Sequence, residues 1–406
     1  MKACFFSNAS AFLQIQLFGP SRNCNFVQFL QPTMFLEQIT IANYKNIEQA
    51  TLRFAKNVNC FIGDNGMGKT NLLDAIYYLS FCKSSLRVPD SSCVRHEADF
   101  MMVQGSYRDE LGANMDVTCS LRRGHRKRVL CNGKAYSRYS EHIGKLPLVM
   151  ISPADSLLVS GGSEERRKFM NIIISQYDRR YLESLIKYEN ALRQRNAMLK
   201  SASRVDSDLM SILEEGLSAE ADYIFLSRKK FVEEFNPVFQ EIYGQICNRS
   251  DEQVLLEYES YGYDSPLLDL FRSNREKEKI VGFTLYGIHK DDLNLYLNAY
   301  PVRREGSQGQ AKTYFIAMKL AQFIYLKRKG HSRVPLLLLD DIFDKLDTGR
   351  VGQIIRFVSS SEFEQIFITD TNREHLDEVL PAAQTDYDLF LVRDGDIVLK
   401  DGTEKV

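Results

Sequence analysis

The chain has almost no net charge: among its 406 residues, 52 lysines and arginines stand against 53 aspartates and glutamates, a formal charge of −1. Bulk electrostatics therefore draws it to neither nucleic acid nor membrane, and any surface for a polyanion must be a local concentration of basic residues. No apolar run reaches the roughly 18–20 residues that a bilayer span requires. The eight cysteines, at 3, 24, 60, 82, 93, 119, 131 and 247, include no C-x-x-C pair. That excludes the spacing of a zinc site, argues against a disulfide framework and suits a reducing, cytoplasmic setting. Cys60 and Cys82 lie in apolar stretches and read as small core residues. The six histidines show no H-x-x-x-H spacing, so nothing points to a transition-metal enzyme. Internal repeats and long heptad runs are also missing.

What is present is the composition of an ordinary soluble protein, 44% hydrophobic and 26% charged, long enough for two or three compact units. The segment Met1–Thr33 is apolar and amide-rich, but Asn8, Gln14 and Gln16 interrupt any signal-peptide core. Met34 stands directly before the strand-like Phe35–Ile41. Translation is expected to begin there, with a genuine extension over 1–33 lying outside the fold as the alternative.

Residues Gly63-Asp64-Asn65-Gly66-Met67-Gly68-Lys69-Thr70 match the P-loop pattern G-x-x-x-x-G-K-[ST]. Val58–Ile62 before it reads as a buried strand, and Asn71–Leu79 after it carries apolar residues at helical spacing. In that context the glycines let backbone N–H groups converge on phosphate oxygens at a helix N-terminus. Lys69 would reach the β- and γ-phosphates of ATP, and the Thr70 hydroxyl would hold Mg²⁺. Around this element, Leu36–Ile41 and Leu52–Phe54 alternate like antiparallel strands. Strands are also expected over 101–107, 115–121 and 129–136, the last with an Asn132-Gly133 hairpin turn. Leu146–Ile151 reads as another strand, stopped by Ser152-Pro153-Ala154-Asp155, which has the form of a capped helix start.

Between 163 and 250 long amphipathic stretches predict helices, punctuated at Pro237. Further on, Pro335–Asp340 reads as a fully buried parallel strand with Gln365–Thr369 as its neighbour. Its end, Asp340-Asp341, supplies what a P-loop needs: Asp340 for the Mg²⁺ shell beside Thr70, and Asp341 as general base for an attacking water. Upstream of it, Ser307-Gln308-Gly309-Gln310 stands directly before a helix expected to begin at Ala311-Lys312-Thr313, a second place where a hydroxyl and backbone N–H groups face one point. This turn has the form of the ABC signature motif, roughly L-S-G-G-Q, which in that superfamily meets the γ-phosphate held by a partner subunit. Asp344-Lys345-Leu346-Asp347 resembles the D-loop that joins two such sites.

Taken together, these motifs resemble the RecF family, the ABC-type ATPases of bacterial recombinational repair. The likeness runs from about Met34 to the C-terminus. It includes Tyr44-Lys45-Asn46, the P-loop, Ser152–Asp155, Glu165-Arg166-Arg167-Lys168-Phe169, Lys187-Tyr188 through Gln194-Arg195-Asn196, Ser307–Gln310 and Leu339–Phe343. Most diagnostic is Gly287-Ile288-His289-Lys290-Asp291-Asp292-Leu293, similar to the family's G-P-H-R-D-D-L. Its His289, Lys290, Asp291 and Asp292 either line an interface near nucleotide or DNA, or form a structural loop with satisfied charges. Departures are Ile288, Lys290 and Lys45 at positions usually Pro, Arg and Arg. A Q-loop glutamine is unassigned, with Gln104 as a competing strand residue. Thr369-Asp370-Thr371 stands where a switch histidine would be.

The resemblance implies an α/β fold: a P-loop ABC-type ATPase lobe of mixed sheet and flanking helices, plus an inserted α-helical lobe. The expected parts are 34–155, a mainly helical 156–280, and 281–406 with the signature and Walker B elements. It implies ATP and Mg²⁺ as cofactors, slow hydrolysis and an ATP-dependent homodimer. Implied partners are single- and double-stranded DNA at gap junctions and RecR, with RecO and RecA in the pathway. The catalytic pair would be Lys69 and Asp341, and the nucleotide-binding set Gly63–Asn71 with Ser307, Gln308, Gly309 and Gln310. For DNA the residues themselves offer a place. From Val117 to Ser140 there is no acidic residue, while Arg122, Arg123, Arg126, Lys127, Arg128, Lys134 and Arg138 are all present. This makes a basic hairpin suited to phosphate contacts, or one that is simply solvated. A transporter subunit would need the Q-loop and switch histidine, and an SMC-like protein a far longer interval between Lys69 and Asp340 for its coiled coil.

Overall fold

The computed structural model describes residues 34–201, 206–247, 252–260, 265–329, 334–343, 348–360, 362–371 and 387–400. The segment 1–33 and the D-loop-like residues 344–347 lie outside them. Strands β1 (Met34–Tyr44) and β2 (Ile47–Arg53) form an antiparallel hairpin, and β3 (Val58–Ile62) runs into the P-loop and helix α1 (Lys69–Phe81). Then come β4 (Phe100–Asp109), β5 (Asn114–Arg122), β6 (Arg128–Cys131), β7 (Lys134–Ala135) and β8 (Leu148–Ile151). The helical stretch follows as α2 (Leu157–Ser160), α3 (Ser163–Tyr177), α4 (Arg179–Lys200) and α5 (Ser207–Cys247). It leads to β9 (Val254–Glu259), α6 (Leu267–Val281), β10 (Asp292–Leu297), β11 (Tyr300–Pro301) and α7 (Val302–Glu305). Last come α8 (Gln308–Lys329), β12 (Leu336–Asp340), α9 (Thr348–Val358), β13 (Ile366–Asp370), β14 (Tyr387–Arg393) and β15 (Asp396–Lys400).

The strands make three sheets. One is antiparallel with order β2-β1-β4-β5-β6-β7, one is β11-β10-β9, and the third is β15-β14-β3-β13-β12-β8. In the third, β14, β3, β13, β12 and β8 are parallel and β15 turns back antiparallel. The continuous apolar runs of β12 and β13 follow from two cores, one on each face of this sheet. Leu337, Leu339, Ile366 and Ile368 join one core with Val58 and Cys60, while Leu336, Leu338 and Phe367 join the other with Phe61. Helix α1 belongs to the second core, packed between the parallel sheet and the antiparallel one. There Phe54 meets Phe367 and Phe61 stacks on Phe390, at ring separations of 5.0 and 4.9 Å.

One local expectation is met and two are corrected. Leu36 and Ile39 break strict alternation because β1 carries a bulge between Leu36 and Gln38. Ser152 caps a short turn at Pro153–Ser156 through a capping box with Asp155. Pro237, however, does not interrupt its helix: α5 runs unbroken for 41 residues with the proline inside. Its neighbours explain the tolerance. Asn236 exchanges two 2.8 Å hydrogen bonds with the backbone of Leu256 in β9, and Phe235, Val238 and Phe239 are buried. These bonds and the burial of the flanking side chains offset the one intrahelical bond that proline cannot donate.

Candidate nucleotide-binding site

The P-loop connects a buried strand to a buried helix by a path only glycine follows easily. Gly66 and Gly68 have φ of +83° and +111°, in the left-handed region. A Cβ at Gly68 would lie 2.6 Å from Asn46 Nδ2, and one at Gly63 would lie 2.3 Å from the Val392 carbonyl oxygen. Lys69 Nζ folds over the loop, donating to the carbonyls of Gly63 at 2.7 Å and Asp64 at 3.2 Å. Residues Gly63 to Asn71 thus form one turn from β3 into the start of α1.

The Walker B pair sits at the floor of this loop. Thr70 Oγ1 donates to Asp340 Oδ1 at 2.9 Å, and Thr369 Oγ1 donates to the same oxygen at 2.9 Å. Burial raises the Asp340 carboxyl to about 6; the two hydroxyls and Lys69 oppose that shift, and the neighbouring Asp341 adds to it. Thr70 and Asp340 are the hard oxygen donors that fit Mg²⁺, which takes few protein ligands and completes its shell with phosphate and water. Asp341, at φ +46°, is turned back so that its N–H donates to Thr369. Its carboxylate lies 3.9 Å from Lys69 Nζ.

The signature turn is built as a capping box. Gln310 N–H donates to Ser307 Oγ at 3.2 Å, and Ser307 N–H donates to Gln310 Oε1 at 3.0 Å. The helix starts at Gln308, earlier than the sequence suggests. Gln310 Nε2 reaches Glu252 Oε1 at 3.0 Å, tying the turn to the start of the β9 segment. Among the described residues, the hydrogen bonds of Ser307 to Gln310 run within the turn and α8 and to Glu252.

The G-x-H-x-D-D-L element is an internal anchor. Asp291 is fully buried, taking an ion pair from Arg228 at 3.1 Å and hydrogen bonds from Tyr258 and Ser260. Asp292 pairs in bidentate fashion with Arg166 of α3 at 2.7 and 2.8 Å. His289 bonds the Tyr188 hydroxyl at 2.7 Å and the Thr284 carbonyl at 3.1 Å, and burial lowers its pKa to about 4. These contacts are those of a structural loop with satisfied charges. Gln104 lies within β4, paired across to Thr40 and Thr118.

The basic hairpin divides in two. Arg122, Arg126 and Arg128 are exposed at the β5–β6 connection. Lys127 turns inward, paired with Asp90 at 2.7 Å and set over the rings of Tyr78 and Tyr139. Arg123 donates to the carbonyls of Ala98, Val94 and Arg95. Sequence counting could not separate these roles, because it sees charge but not the acceptors behind it.

Asn46 and Asn71 lie within stretches quoted above, but the bonds they make are not specified by those motifs. Asn46 Nδ2 donates to the Met67 carbonyl at 3.2 Å and Asn71 Nδ2 donates to Asn46 Oδ1 at 2.7 Å. From the far end of the chain, Gly395 N–H donates to the same Met67 carbonyl at 2.9 Å. No local signal in the sequence says that the Asp394-Gly395 turn touches the P-loop.

Known proteins share this architecture. The family described as RecF/RecN/SMC N terminal domain matches residues 35–395. The DNA replication and repair protein RecF of Bacteroides thetaiotaomicron is 54% identical over 89% of this chain and 98% of its own length. RecF of Porphyromonas gingivalis is 48% identical over 90% and 100%. A solved structure of the recombination mediator protein RecF with ATP, in the RecFOR pathway, aligns at TM-score 0.81 and 25% identity, covering 92% of this chain and 99% of that one. An Smc head domain from Pyrococcus furiosus aligns at TM-score 0.55 and 16% identity over 91% and 96%, a likeness of fold alone. With the P-loop, the Walker B pair and the G-x-H-x-D-D-L anchor all in place, this chain belongs to the RecF family.

Proposed function

We propose that the chain is an ATP-binding DNA repair protein whose nucleotide site is completed by a second copy of itself. The observation that carries this is the separation of two halves. The P-loop, Thr70 and Asp340 form one half, while the Ser307 capping box presents its hydroxyl and the N-terminus of α8 elsewhere, its bonds among the described residues running within the turn and to Glu252. Its form is that of the ABC signature, and membership in an ABC/SMC-type ATPase family supports the same reading.

In this mechanism the P-loop N–H groups and the positive end of α1 hold the phosphates. Lys69 leaves its two carbonyl acceptors for the β- and γ-oxygens. Mg²⁺, held by Thr70 and Asp340, would offset the charge that develops on those oxygens. Asp341 orients the attacking water and accepts its proton. Ser307 and the α8 N-terminus of the partner copy meet the γ-phosphate, so ATP joins two chains around DNA. Slow, switch-like hydrolysis is favoured by Thr369-Asp370-Thr371 at the end of β13, which offers no histidine there. By likeness to its relatives the clamp acts at single-strand/double-strand junctions, with RecR and RecO assisting RecA loading.

Sizing the protein with and without ATP tests the shared site. Wild type is expected to dimerise with ATP, and both Ser307→Arg and Lys69→Met to remain monomeric. A wild type that stays monomeric, or a Ser307→Arg variant that dimerises equally well, overturns the mechanism.

A further inference from the structure

Three groups from outside the P-loop converge on one of its residues. The Met67 carbonyl accepts from Asn46 Nδ2 and from Gly395 N–H, and the Met67 sulfur accepts from Asp394 N–H at 3.4 Å. Asn46 also reaches the first turn of α1, through the bond that its Oδ1 accepts from Asn71. The approach is close on every side. A Cβ on Gly395, which has φ of +85°, would lie 2.5 Å from the Asn46 carbonyl oxygen. The P-loop is therefore held between the β1–β2 turn and the β14–β15 turn.

The peptide plane makes this hold consequential. In a trans peptide the C=O of one residue and the N–H of the next point in opposite directions. With the Met67 carbonyl fixed toward Asn46 and Gly395, the Gly68 N–H is turned the other way, out of the grip of both turns. Gly68 is the residue just before Lys69, where a P-loop offers N–H groups to phosphate. An unheld loop of three glycines would have to lose backbone freedom each time it bound a nucleotide.

We propose that Asn46 and the Asp394-Gly395 turn are positioning residues of the phosphate site, setting the orientation of the Met67–Gly68 peptide before nucleotide arrives. This rests on the nucleotide-site reading above and goes beyond it, since neither element belongs to the P-loop, Walker B or signature motifs.

The test compares wild type, Asn46→Asp, Gly395→Ala and Lys69→Met by direct ATP affinity and by melting with and without ATP and Mg²⁺. Asn46→Asp is nearly isosteric and keeps an acceptor for Asn71, but sets a carboxylate oxygen against the Met67 carbonyl. It is expected to melt without nucleotide close to wild type, to bind ATP about tenfold more weakly and to lose much of the ATP-induced rise in Tm. Gly395→Ala is expected to weaken ATP binding by at least as much. Either variant binding ATP as wild type does, or melting lower while keeping the full ATP-induced rise, overturns the proposal and leaves only a structural role. A wild type that binds no ATP overturns the nucleotide-site reading itself, and this proposal with it.

Discussion

Thr70 on the P-loop helix and Asp340 at the end of β12 are joined by a 2.9 Å hydrogen bond, across 270 positions of sequence. It is the contact that turns two separate motifs into one site. It also shows what the site costs the fold, because Asp340 is 4% exposed and its carboxyl is raised by burial to about 6 from 3.8.

A carboxyl raised on folding binds protons more readily in the native state, so its contribution to stability falls as pH rises from 3.8 toward 6 and stays low above that. Asp340→Asn is therefore expected to stabilise the nucleotide-free protein by about 3 kcal/mol at pH 7.5, with little gain at pH 4. The same change is expected to abolish Mg²⁺-dependent hydrolysis. Urea unfolding at the two pH values checks this, and an Asn variant less stable than wild type at pH 7.5 would contradict it.

His289 has the opposite sign. Its pKa is lowered from 6.5 to about 4 by burial and by Lys290, Arg167 and Arg195, against the opposing Thr284 carbonyl bond. The unfolded chain takes up the proton first, so stability drops as pH falls from 6.5 toward 4. The expected loss is about 3 kcal/mol across that window. His289→Gln should flatten this part of the pH–stability curve, while His142, also lowered by burial, continues to contribute. An unchanged curve in His289→Gln would refute the assignment.

The basic hairpin gives a prediction that separates charge from architecture. Replacing Arg122, Arg126 and Arg128 with serine should weaken DNA binding and reduce the slope of log K against log salt. Each phosphate that is no longer neutralised reduces that slope by about 0.9. Lys127→Ala should instead lower thermal stability and leave the salt slope nearly unchanged, because Lys127 is held by Asp90, Tyr78 and Tyr139. Equal salt slopes in wild type and the triple variant would remove the hairpin from the DNA surface.

The legible parts of the fold were those whose physics is local. The P-loop, the buried strand into Asp340, the Asn132-Gly133 turn and the Ser152 capping box each carry their cause within a few neighbouring residues. What escaped was set by distant partners. Pro237 reads as a break until Asn236 is seen bonded to Leu256, and Lys127 reads as a free cation until Asp90 faces it. The diagnostic G-x-H-x-D-D-L stretch was visible as a pattern, but its work as an anchor depends on Arg166 and Arg228 in two different helices. The hold of Asn46 and Gly395 on Met67 joins opposite ends of the described chain, beyond the reach of any window of sequence.

Strand β3, which launches the P-loop, is hydrogen-bonded to β13 on one side and β14 on the other. A chain made from its N-terminus therefore emerges with this strand bare on both edges, and must wait for residues 366–393 before either is covered. Such long-range parallel pairing is intrinsically slow and leaves aggregation-prone edges open until it closes. The strand that launches the phosphate cradle is thus covered only by the last part of the described chain. Its two edges are closed only by strands that lie more than 300 residues further along the chain.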